Sequence, residues 1–371
     1  MELAEDIGGG RYQLVDGMED RLRRMGERGD IIRLMQRELT ARRLDRPGVE
    51  RVITTEIQQS IIGRLIHRGF SDEHRDRHYA MLDGVDGRVH YIDIGRGDGV
   101  PSVPENATVR IEPTRASVMQ ADRTVDAVAR ANGGRYSVDL HLAHDARASE
   151  AYAASHVRRL EAMRRAGAGP ERSEDGSWVI PDDHLARAEA YAQRQKRDRP
   201  VAVSILSRTP VAGQPTKEAP TWLDRELASG TPSAVRDAGF GREVRDAMSA
   251  RRQWLIEQQL ADGEGQVFQL RRGALDALRL RELRDVGDGL GKELGKRFAP
   301  INVGERVEGV IGRRLELENG PYAVVERARD FTLVPWRDVL ERHVGKVASG
   351  IMRAGGIEWE FGRRRSGPQI Y

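Results

Sequence analysis

The sequence contains no cysteine. That absence removes disulfides, thiol nucleophiles, Cys-ligated zinc and iron–sulfur clusters together, and it fits a reducing compartment. Long apolar runs are missing as well, since no stretch approaches the roughly 18 apolar residues of a membrane span. The start, Met1-Glu2-Leu3-Ala4-Glu5-Asp6, is acidic where a signal peptide needs a basic region. A cytoplasmic protein without a membrane partner is expected. Lysine is scarce: Lys196, Lys217, Lys292, Lys296 and Lys346 are the whole set, so 56 of the 61 basic residues are arginine. Arginine is planar, permanently charged and weakly hydrated, hence the better fork for phosphate. The 58 acidic residues nevertheless leave a net charge of only +3.

A nucleophile elbow, a Walker A loop, a dinucleotide fingerprint and a zincin helix are all absent. Gly8-Gly9-Gly10 and Gly95-Arg96-Gly97-Asp98-Gly99 lack the strand before and the helix with Lys-Ser or Lys-Thr after, so they read as turns, and no cofactor is implied. With 371 residues, 39% hydrophobic and 32% charged, the chain suits two or three small domains with much solvated surface.

Two patterns repeat along it. The first is a Gly-rich turn, a short aromatic strand and a charged helix. It occurs at Gly8 to Leu14 before Met18 and Leu22, at Asp175 to Ile180 before Leu185 and Ala188, and at Gly263 to Leu270 before Leu275 and Leu278. Aligned on Tyr12, Trp178 and Phe268, each copy has an aliphatic residue two positions on, one strand repeat away and on the same face. Each also has an apolar helix position ten residues on. Arg-rich amphipathic stretches precede the second copy (Val157, Leu160, Met163) and the third (Val244, Met248, Trp254, Leu255). Helix, hairpin, helix is the order of a winged helix-turn-helix half. Only Met1 to Ile7 stand before the first copy, so the chain is expected to begin inside a domain whose first half lies upstream.

The second pattern is β-rich: Ser60 to Ile66, His78 to Leu82 and Arg88 to Ile92, then Val307 to Gly312, Pro321 to Val325 and Phe331 to Trp336. Short strands at this spacing suggest small barrels, SH3-like or OB-like. The fold class expected is therefore α+β and multi-domain, with winged-helix-like units alternating with small β-barrels. The segments are 1–45, a truncated winged-helix remnant plus helix; 46–117, a barrel; 118–200, a winged unit; 201–228, a strand and Pro-rich linker; 229–300, a second winged unit; and 301–371, the C-terminal barrel. Thr231-Pro232-Ser233 is expected to open a helix through Arg236.

His141-Leu142-Ala143-His144, near Asp139, Asp145 and His156, is the most metal-like cluster. On a helix His141 and His144 would share a face, but Val138 to Leu142 alternates like a strand, which puts residues three apart on opposite faces. Solvated or capping histidines before a helix are expected. His67, Glu73, His74, His78 and His90 surround an expected hairpin tip and imply no metal. The arginine pairs are better candidates for nucleic-acid contact: Arg164 and Arg165, Arg251 and Arg252, Arg271 and Arg272, and Arg363, Arg364 and Arg365. The first two pairs lie on the helices before the wings, where a recognition helix sits. Phosphate contacts would give sequence-independent affinity, with bases read only from a groove. The competing reading is surface pairing with Glu and Asp, and residues 301–371 hold 12 basic against 10 acidic side chains.

Several stretches occur together: Met25-Gly26-Glu27-Arg28-Gly29-Asp30-Ile31-Ile32-Arg33, Arg75-Asp76-Arg77-His78-Tyr79, Val85-Asp86-Gly87-Arg88, Tyr91 to Gly97, Asn132 to His141, Trp222-Leu223-Asp224-Arg225-Glu226, Asp237 to Gly241 and Phe331 to Trp336. In these the chain resembles the domain-of-unknown-function 3363 family, the C-terminal half of plasmid relaxases, or mobilisation nucleases. The resemblance covers nearly the whole chain. It implies conjugative DNA mobilisation, in which the relaxase nicks one strand at the transfer origin, stays attached through a Tyr and passes through a type IV secretion channel. The family's chemistry resides upstream, in a domain with a His-hydrophobic-His metal site. His141 and His144 have two residues between them rather than one, so no catalytic role passes to them and nicking by this chain alone is not expected. A non-catalytic accessory DNA-binding or interaction region is the first reading, with transfer-origin DNA, the relaxase catalytic domain or the secretion coupling protein as partners. A free-standing winged-helix regulator is the alternative, distinguished by two-fold half-site spacing. A metal-dependent nuclease using His141 is a third, and it fails if His141→Ala with His144→Ala leaves cleavage unchanged.

Overall fold

The computed structural model describes residues 4–6, 11–14, 16–44, 46, 50–54, 56–97, 102–229, 233–264, 267–353 and 356–360, with backbone alone at 4–6, 12–14, 264 and 267. It is a mixed α+β protein. The chain forms two compact units, one mainly of residues up to Ile205 and the other mainly of residues from Leu206 on.

In the first unit a hairpin of β1 (Ala4–Asp6) and β2 (Tyr12–Leu14) leads into the long helix α1 (Met18–Ala41). A sheet follows from β3 (Arg51–Thr54), β4 (Ile61–Asp72), β5 (Arg77–Gly84), β6 (Val89–Arg96), β7 (Thr108–Pro113) and β11 (Val201–Ser207), in the order β11-β7-β4-β5-β6-β3. β4, β5 and β6 form an antiparallel meander, and β3 adds at the edge parallel to β6. Neighbouring residues of one strand point to opposite faces, and here both faces are covered. Leu65, Leu82, Ile92 and Ile111 build one core, while Ile66, Met81, Val89 and Tyr91 build another with Met35 and Leu39 of α1. This is why β5 is buried almost throughout instead of alternating. Asp83 is held inside by Arg46 at 2.6 Å and Arg64 at 2.7 Å.

The expected barrel is not what forms. Among the described residues β11 and β3 remain separate edges, so the sheet is open. A small barrel buries one face within itself, whereas this sheet carries two apolar faces and needs a helix on the second.

The rest of the first unit is mainly helical. α2 (Gln120–Ala131), β8 (Arg135–Tyr136), α3 (Val138–His144), α4 (Glu150–Arg165), β9 (Glu171–Arg172) and β10 (Trp178–Val179) precede α5 (His184–Asp198), and the strands form a sheet in the order β8-β10-β9. Val125, Val128, Tyr136, Leu160, Trp178 and Ile180 are the core. The strand expected over Val138 to Leu142 is helical instead. Ser137 caps it, its hydroxyl accepting from the Leu140 amide at 3.1 Å, which satisfies a first-turn donor and outweighs the short apolar alternation.

In the second unit α6 (Trp222–Ala228) and α7 (Gly239–Glu257) precede the hairpin β12 (Ala261–Glu264) and β13 (Val267–Leu270), the long helix α8 (Ala274–Leu294) and an open sheet. That sheet comprises β14 (Arg297–Phe298), β15 (Arg306–Leu317), β16 (Gly320–Glu326), β17 (Asp330–Pro335), β18 (Val347–Arg353) and β19 (Gly356–Glu360), in the order β14-β17-β16-β15-β18-β19. Thr231 and Pro232 lie outside the described residues, and residues 233–236 are not helical. The helix starts later, at Gly239, since the Arg236 amide donates to the Val85 carbonyl at 2.8 Å instead of back along its own segment. The Pro-rich stretch before α6 is an ordered strap rather than a spacer, with Val211, Gln214 and Ala219 buried.

The first and third copies of the first pattern and both copies of the second prove to be parts of one repeat, and the copy at Asp175 to Ile180 stands outside it. Hairpin, long helix, parallel edge strand and meander occur in that order as β1-β2, α1, β3 and β4-β5-β6, and again as β12-β13, α8, β14 and β15-β16-β17. Tyr79 and Tyr322 both lie in the middle strand of their meander. The copies differ where the long helix begins. Leu278 is fully buried beside Leu255 of α7, while its counterpart Leu22 is exposed.

Candidate nucleic-acid interface

α4 is amphipathic. Ala153, His156, Leu160 and Met163 face the core, leaving Ala151, Arg158, Ala162 and Arg165 along the opposite, exposed stripe at spacings of seven, four and three. Ser149 caps the helix, accepting from the Tyr152 amide at 3.2 Å. Arg158 has no hydrogen bond or ion pair among the described residues. Its neighbour Arg159 is structural, forking onto buried Asp122 at 3.0 and 3.1 Å. Arg164 and Arg165 share a single carboxylate: Arg164 donates to Glu161 at 2.8 and 3.1 Å and Arg165 at 2.9 Å. These bonds pull the Glu161 carboxyl down to about 2. The trio keeps one net positive charge at the end of α4.

The other pairs are divided by the fold. Arg251 is wholly buried, donating to Asp224 at 2.7 and 2.8 Å and to the carbonyls of Gln214, Pro215, Lys217 and Ala219. It is unreachable by phosphate. Arg251 falls on the α7 face that also carries Val244, Ala247 and Leu255, while Arg252, one residue and about 100° on, is exposed. The Arg252 guanidinium stands 5.5 Å from the Phe268 ring centre on the hairpin. Arg271 is clamped to Asp262 across the hairpin base at 2.6 Å, which lowers that carboxyl and raises the guanidinium. Arg272 is exposed and has no partner among the described residues. Arg363, Arg364 and Arg365 lie outside the described residues.

The histidines gather in the core beneath α4. Tyr136 of β8 bonds His141 Nδ1 at 2.8 Å, and the His141 and His156 rings stand edge to face at 4.9 Å. His156 Nδ1 meets the Tyr152 carbonyl at 2.9 Å. Burial lowers the His141 pKa, and His156 lowers it further; burial likewise lowers His184. His141 and His156 are buried packing groups between α3 and α4, not the solvated histidines expected, and His144 is exposed away from them. Among the described residues no three His, Asp or Glu side chains are placed to hold a metal ion. Of the second histidine group, His67 bonds the Tyr79 hydroxyl at 2.9 Å, His78 meets Asp76 at 3.1 Å, and His90 is buried. No helix among the described residues is long and apolar enough to cross a membrane.

Sequence reasoning passed over Arg158, although the spacing from Arg158 to Arg165 would have put both on one helical face. Residues 1–368 match the family described as "Protein of unknown function (DUF3363)", and the chain belongs to that family. No curated protein and no solved structure matches the chain.

Proposed function

We propose that the chain is a non-catalytic accessory region of a conjugative plasmid relaxase that binds DNA during mobilisation. The observation that carries this reading is the order α2, β8, α3, α4, β9, β10 with its three-stranded sheet β8-β10-β9. A winged helix-turn-helix has this order, with α4 as the recognition helix and the β9-β10 turn as the wing. The exposed Arg158 and Arg165 stripe of α4 supports it, as phosphate contacts are the main source of sequence-independent affinity. The α7, hairpin and α8 unit, with Arg252 and Arg272 exposed, offers a second such surface. The link to relaxases rests on the stretches from Met25 to Trp336 set out above. The relaxase catalytic domain and the type IV secretion coupling protein are the protein partners this reading implies.

Fluorescence anisotropy against labelled duplex and single-stranded DNA, titrated across salt, tests it. Each neutralised phosphate contributes about −0.9 to the slope of log K against log salt on duplex. A slope of several units is expected, and no binding at low salt overturns the reading.

A further inference from the structure

A cavity of about 230 Å3 opens between α8 and the sheet of the second unit. Leu280, Leu283, Phe298, Ile301, Val303 and Met352 line it. Val303 is 69% exposed and Leu280 45% exposed, so the apolar lining continues to the surface. A contiguous exposed apolar patch marks a binding groove more often than a lone exposed side chain does. Three arginines, Arg279, Arg284 and Arg353, stand among the lining residues, and no Asp or Glu does. Arg279 lies 3.5 Å from exposed Asp276, and Arg353 lies 3.1 Å from exposed Glu358. Arg284 has no partner among the described residues.

The chemistry of the walls decides between occupants. A nucleobase carries donors and acceptors on every edge, and these cost free energy when buried without partners. The lining has donors in its three arginines but no carboxylate to accept from a base's amino groups. The chain's own C-terminal stretch carries Arg363, Arg364 and Arg365, of the same sign as the rim. An apolar side chain flanked by carboxylates matches both wall and rim.

We propose that this groove seats a short acidic peptide segment of a partner protein, with one or two large apolar side chains in the cavity and carboxylates on Arg284, Arg279 and Arg353. The proposal is independent of DNA binding through α4. The corresponding place in the first unit, between α1 and β3, is also a groove, lined by Arg24, Glu27, Arg28, Glu50 and Arg51 together with Ile31, Val52 and Ile53. There charges of both signs share the walls with the apolar side chains, so the purely basic rim belongs to the α8 copy.

The test is selection of phage-displayed random short peptides against the full chain, with counter-selection on the Leu280→Asp, Val303→Asp double variant. Both side chains are exposed, so the variant keeps its fold, which a thermal melt checks. Enriched peptides are expected to carry a large apolar residue within a net acidic stretch. Synthesised and labelled, they are expected to bind the double variant at least tenfold more weakly and Arg284→Glu several-fold more weakly. Enrichment of basic or uncharged sequences, equal binding to the double variant, absence of groove-dependent binders, or displacement by a single-stranded oligonucleotide each overturns the proposal. None of these outcomes alters the duplex salt slope, so the two readings fail separately.

Discussion

Arg251 and Asp224 form a fully buried, two-pronged ion pair, 2.7 and 2.8 Å long, between α7 and α6. The guanidinium also collects four carbonyls from residues 214–219, and the same carboxylate accepts from the Thr221 amide at 2.7 Å. One arginine thus fastens the strap before α6 to the helix after it. Removing one member of a buried pair leaves an uncompensated charge and costs about 3–5 kcal/mol. Arg251→Ala is expected to lose about that much in denaturant melts, while exposed Arg252→Ala is expected to change stability by less than about 0.5 kcal/mol.

On α4 the expected changes are electrostatic. Arg158→Ala with Arg165→Ala should lower duplex affinity and make the salt slope shallower by about 1 for each phosphate that is no longer neutralised. Glu161→Gln removes the carboxylate that Arg164 and Arg165 share, so it should raise affinity at low salt and steepen the slope. Anisotropy titrations on the three proteins check both; an unchanged slope in the double variant would remove α4 from the interface.

Acid should weaken the first unit. His141 and His184 have lowered pKa values because burial disfavours their charged forms, so the unfolded chain binds protons more readily than the folded one. Their contribution is fully present above the ordinary histidine value of 6.5 and is lost as pH falls through and below it. Melting temperatures measured from pH 8 down to pH 5 should fall below about 6.5. The fall should be shallower in His184→Leu, measured relative to that variant's own value at pH 8.

Gly287 sits where α8 crosses the edge strand. A Cβ built there would meet the Phe298 ring at 2.4 Å. Gly287→Ala is therefore expected to destabilise by about 1–3 kcal/mol, since overpacking here outweighs the helix propensity gained. Gly289, whose Cβ would meet nothing within 4 Å, is the control and should gain stability as alanine.

Much of this architecture was legible in the sequence, and the omissions have physical reasons. Trp178 and Phe268 mark hairpin strands, and Ala188 and Leu278 ten residues on are fully buried. The meander strands carrying Tyr79 and Tyr322 are those their alternation indicated. The edge strands β3 and β14 escaped because four and two residues are too short for a period to register. Without them the two repeated patterns looked separate and barrel closure looked natural. The burial of Arg251 was within reach, for it keeps helical step with Val244, Ala247 and Leu255. Pairing it with Arg252 by adjacency ignored that step. The α3 helix was masked by a five-residue apolar alternation that one capping serine overrides.

The duplicated hairpin, helix and meander has a consequence for how the molecule can change. A scaffold present twice allows one copy to drift in chemistry while its twin keeps the older surface, provided each retains the residues that hold its own layers together. Position 28 and position 284 are both arginine, yet position 24 is arginine where position 280 is leucine, and position 27 is glutamate where position 283 is leucine. At these two places the helix wall is charged in one copy and oily in the other, while the strands beneath keep the same order.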